Sequence, residues 1–434
     1  MPNPTRRKQL NTTLQSLRDS QDSGLKHARG LDTADPLSDL RKFFDLPNEL
    51  IYLDGNSLGA MPVNVPQRMQ EAVLDGWRTG LIRSWNARDW HLLPLTLGDR
   101  LAPLMGAAPG EVLIVDSTSI NLFKLLCTAL RLRPDRTSIV SEGENFPSDL
   151  HIVQGALDHF YPEHQLVLGG VDDDSILELI TEDTAVVTLT HISYRSGLIR
   201  DMQRITQKAH SCGALVLFDL SHSLGAVPVD LNAADVDFAV GCTYKYLNAG
   251  PGGPAYLFIA DRHLSGAENP LTGWQGHTDP FSFDTRYVPA DTIEKFRCGT
   301  PGILSYIALE ESLDIFEKVD LLALRQKSID LTDYFIELVE SMCEGYGLVL
   351  GSPRDSNRRG SQVCFTHSQG WPMMQALIGH GVIGDFRAPD ILRFGFAPLY
   401  LRYEDVWVAA AMLAELLASD AWKNPVYAKP KLVT

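Results

Sequence analysis

From about Val112 the chain alternates two patterns. Short, continuously apolar runs (VLIVDS, SIVSE, LVLGG, AVVTLTHIS, ALVLFDLSH, DFAVGCTY, AYLFIA) are separated by segments whose apolar residues recur every three or four positions. The runs are rich in β-branched residues and lack polar alternation, as strands covered on both faces must be. The intervening segments read as amphipathic helices: one with Leu122, Leu125, Leu126, Ala129 and Leu130 on a single face, one from about Pro147, one near Ser175 to Ile180, and one near Met202 to Ala209. Repeated strand and helix units predict an α/β fold with a mostly parallel sheet between helical layers.

Both flanks read differently. Upstream, Asp35-Pro36 opens a helical pattern, LSDLRKFF, that Pro47 closes; IYLDGNSLGAMP reads as a short strand and a glycine-bearing turn. Val65 to Trp77 and His91 to Met105 read as amphipathic helices joined by IRSWNARDW, an aromatic and arginine-bearing connection that suggests pocket lining. Downstream of about Ile303, long helical patterns (Ile303 to Phe316, Leu321 to Met342) lead into LVLGS, QVCFTH, a helix at Met373 to His380, LRFGFAPLY and a helix from Tyr403 to Leu417. The expected organisation is a polar, disordered tail over 1–30, a large domain over 31–302 and a smaller α+β domain over 303–434.

Composition narrows the function classes. Of 434 residues, 54 are acidic and 38 basic, a formal charge of −16 that argues against a nucleic-acid partner. The six cysteines are scattered without a CxxC pair, which suits a reducing cytoplasm and offers neither a disulfide framework nor a metal site. No run of about 20 apolar residues is present to span a membrane. The DDD at 172–174 lacks calcium-loop spacing and reads as a solvated helix N-terminus.

The chemistry gathers at strand ends, where ligands sit in open α/β sheets. Lys245 lies between Tyr244 and Tyr246 after an apolar run and before Gly250, Gly252 and Gly253. Desolvation there would free its lone pair for Schiff-base chemistry; the plain alternative is a strand-end lysine snorkelling outward. Asp219 ends its own apolar run, either paired to a cation such as a protonated pyridine or capping the turn at Ser221. The stretch Asp116 to Ser119, between a strand and a helix, offers hydroxyls and free N–H groups to a phosphate, or is an ordinary cap. An amine, a carboxylate and an anion cradle together describe a pyridoxal-phosphate site.

The chain also resembles the kynureninase family of fold-type I pyridoxal-phosphate enzymes, in the class V aminotransferase-like group. The matching motifs are YLDGNSLGA at 52–60, GLIRSWN at 80–86, STSINLFK at 117–124, NFPSDL at 145–150, THISYRSG at 190–197, FDLSHSLGAVPVDL at 218–231, GCTYKYLNAGPGG at 241–253, GWQGH at 273–277, CGTP at 298–301 and RFGFAPLY at 393–400. The resemblance implies Lys245 as the Schiff-base lysine, Asp219 on the pyridine nitrogen, and Tyr244 as phosphate donor and proton donor. It places His222 and Asp149 beside the ring, Phe146 stacked on it, Thr190 near its oxygen substituent, and Thr118 and Ser119 at the phosphate. Trp274 and Thr300 are expected to reach the cofactor from a second subunit, which implies a homodimer with a shared active site.

For the substrate, the resemblance implies Arg393 as a bidentate clamp on the α-carboxylate, with Asn56 near it and Trp85 as an aromatic wall that favours kynurenine over 3-hydroxykynurenine. Ser148 and Ser193 depart from the family pattern without removing a reactive group. The implied reaction is hydrolysis of kynurenine to anthranilate and alanine in tryptophan catabolism, linked to NAD biosynthesis. The rival readings are a cysteine desulfurase-like lyase, whose thiolate would have to be Cys364 in an apparent strand, and a catalytically silent regulator of the same fold.

Overall fold

The computed structural model describes residues 14–429, which divide into two compact units. One holds Asn64–Tyr194 and Arg200–Glu317; the other combines the segment ending at Val63, Arg195–Ile199 and the chain from Lys318 onward. This differs from the expected boundary at 303. The helix Ile303–Phe316 stays with the large unit, and the N-terminal segment joins the C-terminal one because the short strand Ile51–Tyr52 pairs in parallel with Val382–Ile383. Of the polar tail expected over 1–30, residues 1–13 lie outside the described residues, and the remainder is corrected. A helix runs from Ser23 to Ala34, capped by Asp22 and burying Leu25 and Ala28, so its few apolar residues suffice to dock it. The basic residues Arg6, Arg7 and Lys8 lie outside the described residues.

The large unit is built on seven strands: β1 (Val112–Ile114), β2 (Ser138–Glu142), β3 (Gln165–Gly169), β4 (Thr184–Thr190), β5 (Leu215–Asp219), β6 (Phe238–Cys242) and β7 (Ala255–Ile259), in the order β1-β7-β6-β5-β4-β2-β3. Neighbours from β6 to β3 are parallel, while β7 is antiparallel to both β6 and β1. The expected face of Thr118–Leu132 (Leu122, Leu125, Leu126, Ala129 and Leu130) packs into one core with Ile139, Val153, Leu215, Phe238, Val240 and Leu257. Full burial of such side chains is worth roughly 1.5 to 3 kcal/mol each, which explains why these strands read as unbroken apolar runs.

Local geometry departs from the reading in two places. LSDLRKFF forms a 3-10 helix, Ser38–Phe43, not an α-helix. The segment after Val65–Glu71 widens into a π-helix, Ala72–Gly80, before the short turns Leu81–Arg83 and Ser84–Ala87. The smaller unit carries a four-stranded antiparallel sheet of β8 (Val349–Leu350), β9 (Gln362–Thr366), β10 (Asp385–Arg387) and β11 (Ile391–Gly395), in the order β8-β9-β11-β10. Among the described residues, no helix is long and apolar enough to cross a membrane.

Asp237, just before β6, ties the lower edge of the large sheet together. Its buried carboxylate accepts from Val216 N at 2.8 Å, Arg262 Nη2 at 2.8 Å, His263 Nε2 at 2.7 Å and His210 Nε2 at 2.9 Å. Burial alone would raise its pKa, but the hydrogen bonds from His210 and His263 hold it well below the usual carboxylate range. The same contact raises His210, with Asp235 adding to the effect. A depressed carboxylate stabilises above the unfolded Asp value of about 4, and a raised histidine stabilises fully below about 6.5. Asp237→Asn is therefore expected to cost about 3 to 5 kcal/mol, with the largest wild-type-to-mutant difference in denaturant melts between those two pH limits. A difference that stays constant from acid to alkaline pH would refute the linkage.

Candidate functional site

The loops beyond the carboxyl ends of β1, β2, β4, β5 and β6 close around a cleft lined by Thr118, Ser119, Phe146, Ser148, Asp149, Thr190, Tyr194, Asp219, Ser221, His222, Tyr244 and Lys245. The strands deliver these groups because each changes from apolar to polar where it leaves the sheet. Lys245 Nζ lies 3.0 Å from His222 Nε2, 5.9 Å from the centroid of Phe146 and 6.0 Å from that of Tyr244. The lysine is half-buried and turned into the cleft, so the snorkelling alternative does not describe it.

Asp219 and Asp149 are both buried on the cleft floor. The turn-capping role of Asp219 is present, since its Oδ1 accepts from Ser221 N at 2.6 Å, and the carboxylate lines the cleft as well. Burial, then the neighbouring Asp219 charge, push the Asp149 carboxyl well above its ordinary value, while Lys245 and Thr190 pull the other way. The rise follows because two adjacent buried carboxylates cannot both ionise cheaply. Thr190 Oγ1 donates to Asn145 Oδ1, which also accepts from Phe146 N at 2.7 Å and so fixes the backbone that carries the ring.

At the other end of the cleft, Ser117 caps the helix Thr118–Leu132, leaving Thr118 and Ser119 in its first turn. Ser119 Oγ is 3.0 Å from Ser148 Oγ. Asp116 would repel an anion here, but its carboxylate is paired with the fully buried Lys124. The first turn is left with hydroxyls and the helix's positive end.

Tyr244 keeps its proton, because Cys242 and burial push its hydroxyl upward. His191, behind the cleft, is held neutral: burial lowers it to about 4, and its Nδ1 is 2.9 Å from Ser223 Oγ.

The fold brings together Lys245, Tyr244, Asp219, Asp149, His222, Phe146, Thr190, Thr118 and Ser119. The remaining expected residues are not among those that line the cleft. Trp274 is 41% exposed and stacks edge-on with Phe281 at 5.8 Å. Thr300 lines a separate hollow with Arg297, Cys298 and Ser305. Trp85 stacks edge-on with Trp90 at 6.1 Å. Arg393 and Asn56 belong to the smaller unit.

Tyr194, Ser148 and Ser221 line the cleft without having been singled out, and Tyr194 packs edge-on against Phe146 at 5.2 Å. Their position in the motifs THISYRSG, NFPSDL and FDLSH was the available signal. The DDD reading also needs adjustment: Asp172 caps its helix as expected, but Asp173 is buried and ion-paired with Arg200 at 2.9 Å. Cys364 is buried in β9, and burial raises its thiol to about 11, the opposite of an exposed reactive thiolate.

Comparison with known proteins gives a consistent picture. The family described as Kynureninase C-terminal domain matches residues 324–413. A kynureninase of Burkholderia pseudomallei (strain K96243) is 50% identical over 414 residues, spanning 94% of this chain and 99% of its own length. A kynureninase of Pseudomonas fluorescens is 48% identical over 397 residues, with coverages of 90% and 95%. Among solved structures, the apo cysteine desulfurase of Thermococcus onnurineus NA1 superposes with a TM-score of 0.74 at 22% identity, covering 88% of this chain and 98% of its own. A C-DES mutant with glycine covalently linked to its PLP cofactor gives 0.75 at 17%, covering 86% and 98%. At those identities the two structures establish the fold.

Proposed function

This chain belongs to the kynureninase family, and from that premise we propose how its residues carry the family's reaction. It is a pyridoxal-phosphate-dependent hydrolase that cleaves L-kynurenine to anthranilate and L-alanine. The observation that carries the residue assignment is one cleft in which Lys245, the Asp149–Asp219 pair and the hydroxyl-bearing helix N-terminus converge.

The donor set fits pyridoxal phosphate. Lys245 supplies the amine, Asp219 a buried carboxylate for the pyridinium, Phe146 an aromatic face, and Thr118, Ser119 and Tyr244 donors for the phosphate. When bound, the cofactor supplies an electron-accepting ring conjugated to the substrate nitrogen.

The chain's own groups then move the protons. Lys245 Nζ would hold the cofactor and serve as the base for the proton on the substrate Cα, and His222 Nε2 at 3.0 Å orients it. Asp219 would balance the positive charge of the cofactor's ring nitrogen, and Asp149, whose carboxyl burial and the Asp219 charge push upward, lies beside it. Water adds to the γ-carbonyl, the Cβ–Cγ bond breaks, and anthranilate leaves. Tyr244, protonated at neutral pH, is placed to donate to Cβ of the remaining three-carbon unit before alanine departs. Arg393 and Asn56 bind the substrate's α-carboxylate, and Trp85 biases the pocket towards kynurenine over the 3-hydroxy compound.

We also assign a homodimer in which Trp274 and Thr300 serve the partner's site. Trp274, Phe281 and Phe283 are exposed at 41%, 66% and 77%, apolar surface that a second copy would remove from water. The cytoplasmic location and the role in tryptophan catabolism belong to the same reading.

Mixing the cofactor-loaded protein with kynurenine is expected to produce anthranilate fluorescence with equimolar alanine. Release of sulfur from cysteine without anthranilate formation would favour the desulfurase-like alternative, which the buried, raised Cys364 already disfavours.

A further inference from the structure

Within the smaller unit, Arg393 is held on several sides. Its Nη2 donates to Asp385 Oδ2 and, at 2.9 Å, to Ser57 Oγ. Arg387 Nη2 meets the same Asp385 oxygen at 2.8 Å. With the Asn56 amide turned so that both its ends are paired, its nitrogen donates to Asp54 Oδ1 at 3.2 Å and its oxygen accepts from Arg393 Nε at 3.2 Å. Asn56 is held close by shape: a side chain at Gly395 would lie 2.0 Å from one end of the Asn56 amide. The backbone is equally fixed, since Gly395 N donates to Leu53 O at 2.7 Å and Leu53 N to Ile383 O at 2.7 Å. Asp54 is thus wired to Arg393 through one rigid amide.

The charged and titratable groups facing Asp54 are Tyr52 on its own segment, Asp385 and Arg387 on β10, and Arg393 on β11. Burial first, then the Asp385 carboxylate, push Asp54 up to about 7; Ser57, Arg393 and Arg387 oppose the rise without cancelling it. Tyr52 is raised by burial, Asp54 and Asp385, and stays neutral. Protonating Asp54 raises the net charge of the cluster it forms with Arg387, Arg393 and Asp385 by one, and ionising it removes that charge.

We propose that Asp54 is a positioning residue for Arg393, acting through Asn56: protonated, it leaves the cluster's surplus positive charge to a substrate carboxylate, and ionised, it takes that charge for itself. The proposal rests on the reading of Arg393 as the carboxylate clamp. Its sign is fixed. Raising the pH through the Asp54 transition weakens carboxylate binding and leaves an uncharged ligand of the same shape unaffected.

The test uses the cofactor-loaded enzyme and two competitive inhibitors, β-benzoylpropionate, which keeps the ketone and carboxylate but lacks the amine, and its primary amide. For the wild type, the inhibition constant of the carboxylate is expected to weaken about tenfold between roughly pH 6 and 8.5, while the amide stays flat. Asp54→Asn is expected to abolish the slope and keep the tight, low-pH value throughout. Arg393→Lys separates the two readings: it should weaken the carboxylate at every pH and spare the amide. If it changes neither inhibitor, the clamp reading fails. If it behaves as expected but Asp54→Asn retains the wild-type slope, the Asp54 proposal fails. Should Asp54→Asn not fold, a pH-independent carboxylate constant in the wild type alone overturns the proposal.

Discussion

Lys245→Ala is expected to lower kynurenine turnover by at least about 10⁴-fold, more than 5 kcal/mol of barrier at about 1.4 kcal/mol per factor of ten. The loss is large because one nitrogen does two jobs: it anchors the cofactor and takes the Cα proton. The partners around it make that role specific. His222 Nε2 sits 3.0 Å away, and the aromatic faces of Phe146 and Tyr244 lie about 6 Å from the ammonium, so the side chain is held in one direction. Arginine at this position would keep the charge without being able to act as a base. The measurements are anthranilate fluorescence and the visible absorbance of the cofactor-loaded protein. The variant should lose the covalent band, and mass spectrometry of borohydride-treated wild type should locate the reduced adduct on Lys245. Normal turnover by the alanine variant would sink the assignment.

Asp219→Ala should produce the second-largest loss, about 10² to 10³-fold in kcat or about 2.7 to 4.1 kcal/mol of barrier, because it leaves one member of a buried charge pair unmatched. Asp219 is buried beside Asp149, whose carboxyl burial and the Asp219 charge push upward, an arrangement suited to holding a cationic nitrogen. Removing it also releases Ser221 N, now held at 2.6 Å, so a purely structural explanation has to be separated. Asp219→Asn makes that separation: it can still accept from Ser221 N but cannot balance a pyridinium charge. If the asparagine variant matches wild type in kcat while the alanine variant fails, the carboxylate serves the turn and not the chemistry.

Much of the site was legible before the fold was seen, for a local reason. Lys245, Asp219 and the stretch Asp116 to Ser119 each fall at a change from apolar to polar at a strand or helix end, and a parallel sheet gathers such ends on one edge, whereas Asp149 and Thr190 came only from the family resemblance. Residues whose role depends on a partner far along the chain left no such mark. Asp54 sits in a turn whose composition says nothing about Asp385 or Arg393. The N-terminal helix around Leu25 and Ala28 looked too polar to dock, because a buried face made of two small contacts lies below what periodicity can register.

The sequence by itself therefore determined the alternation that builds the seven-stranded sheet, the identity of its chemically pointed strand ends, and the family to which those motifs belong. The tertiary structure alone decided three things: which carboxylates are buried side by side, which arginine is caged by Asp385 and Asn56, and that the N-terminal segment completes the smaller unit through Ile51–Tyr52 against Val382–Ile383. The physical reason is the range of the forces involved. Hydrophobic periodicity is written residue by residue. Charge coupling and strand pairing depend on distances that exist only after loops of hundreds of residues have closed.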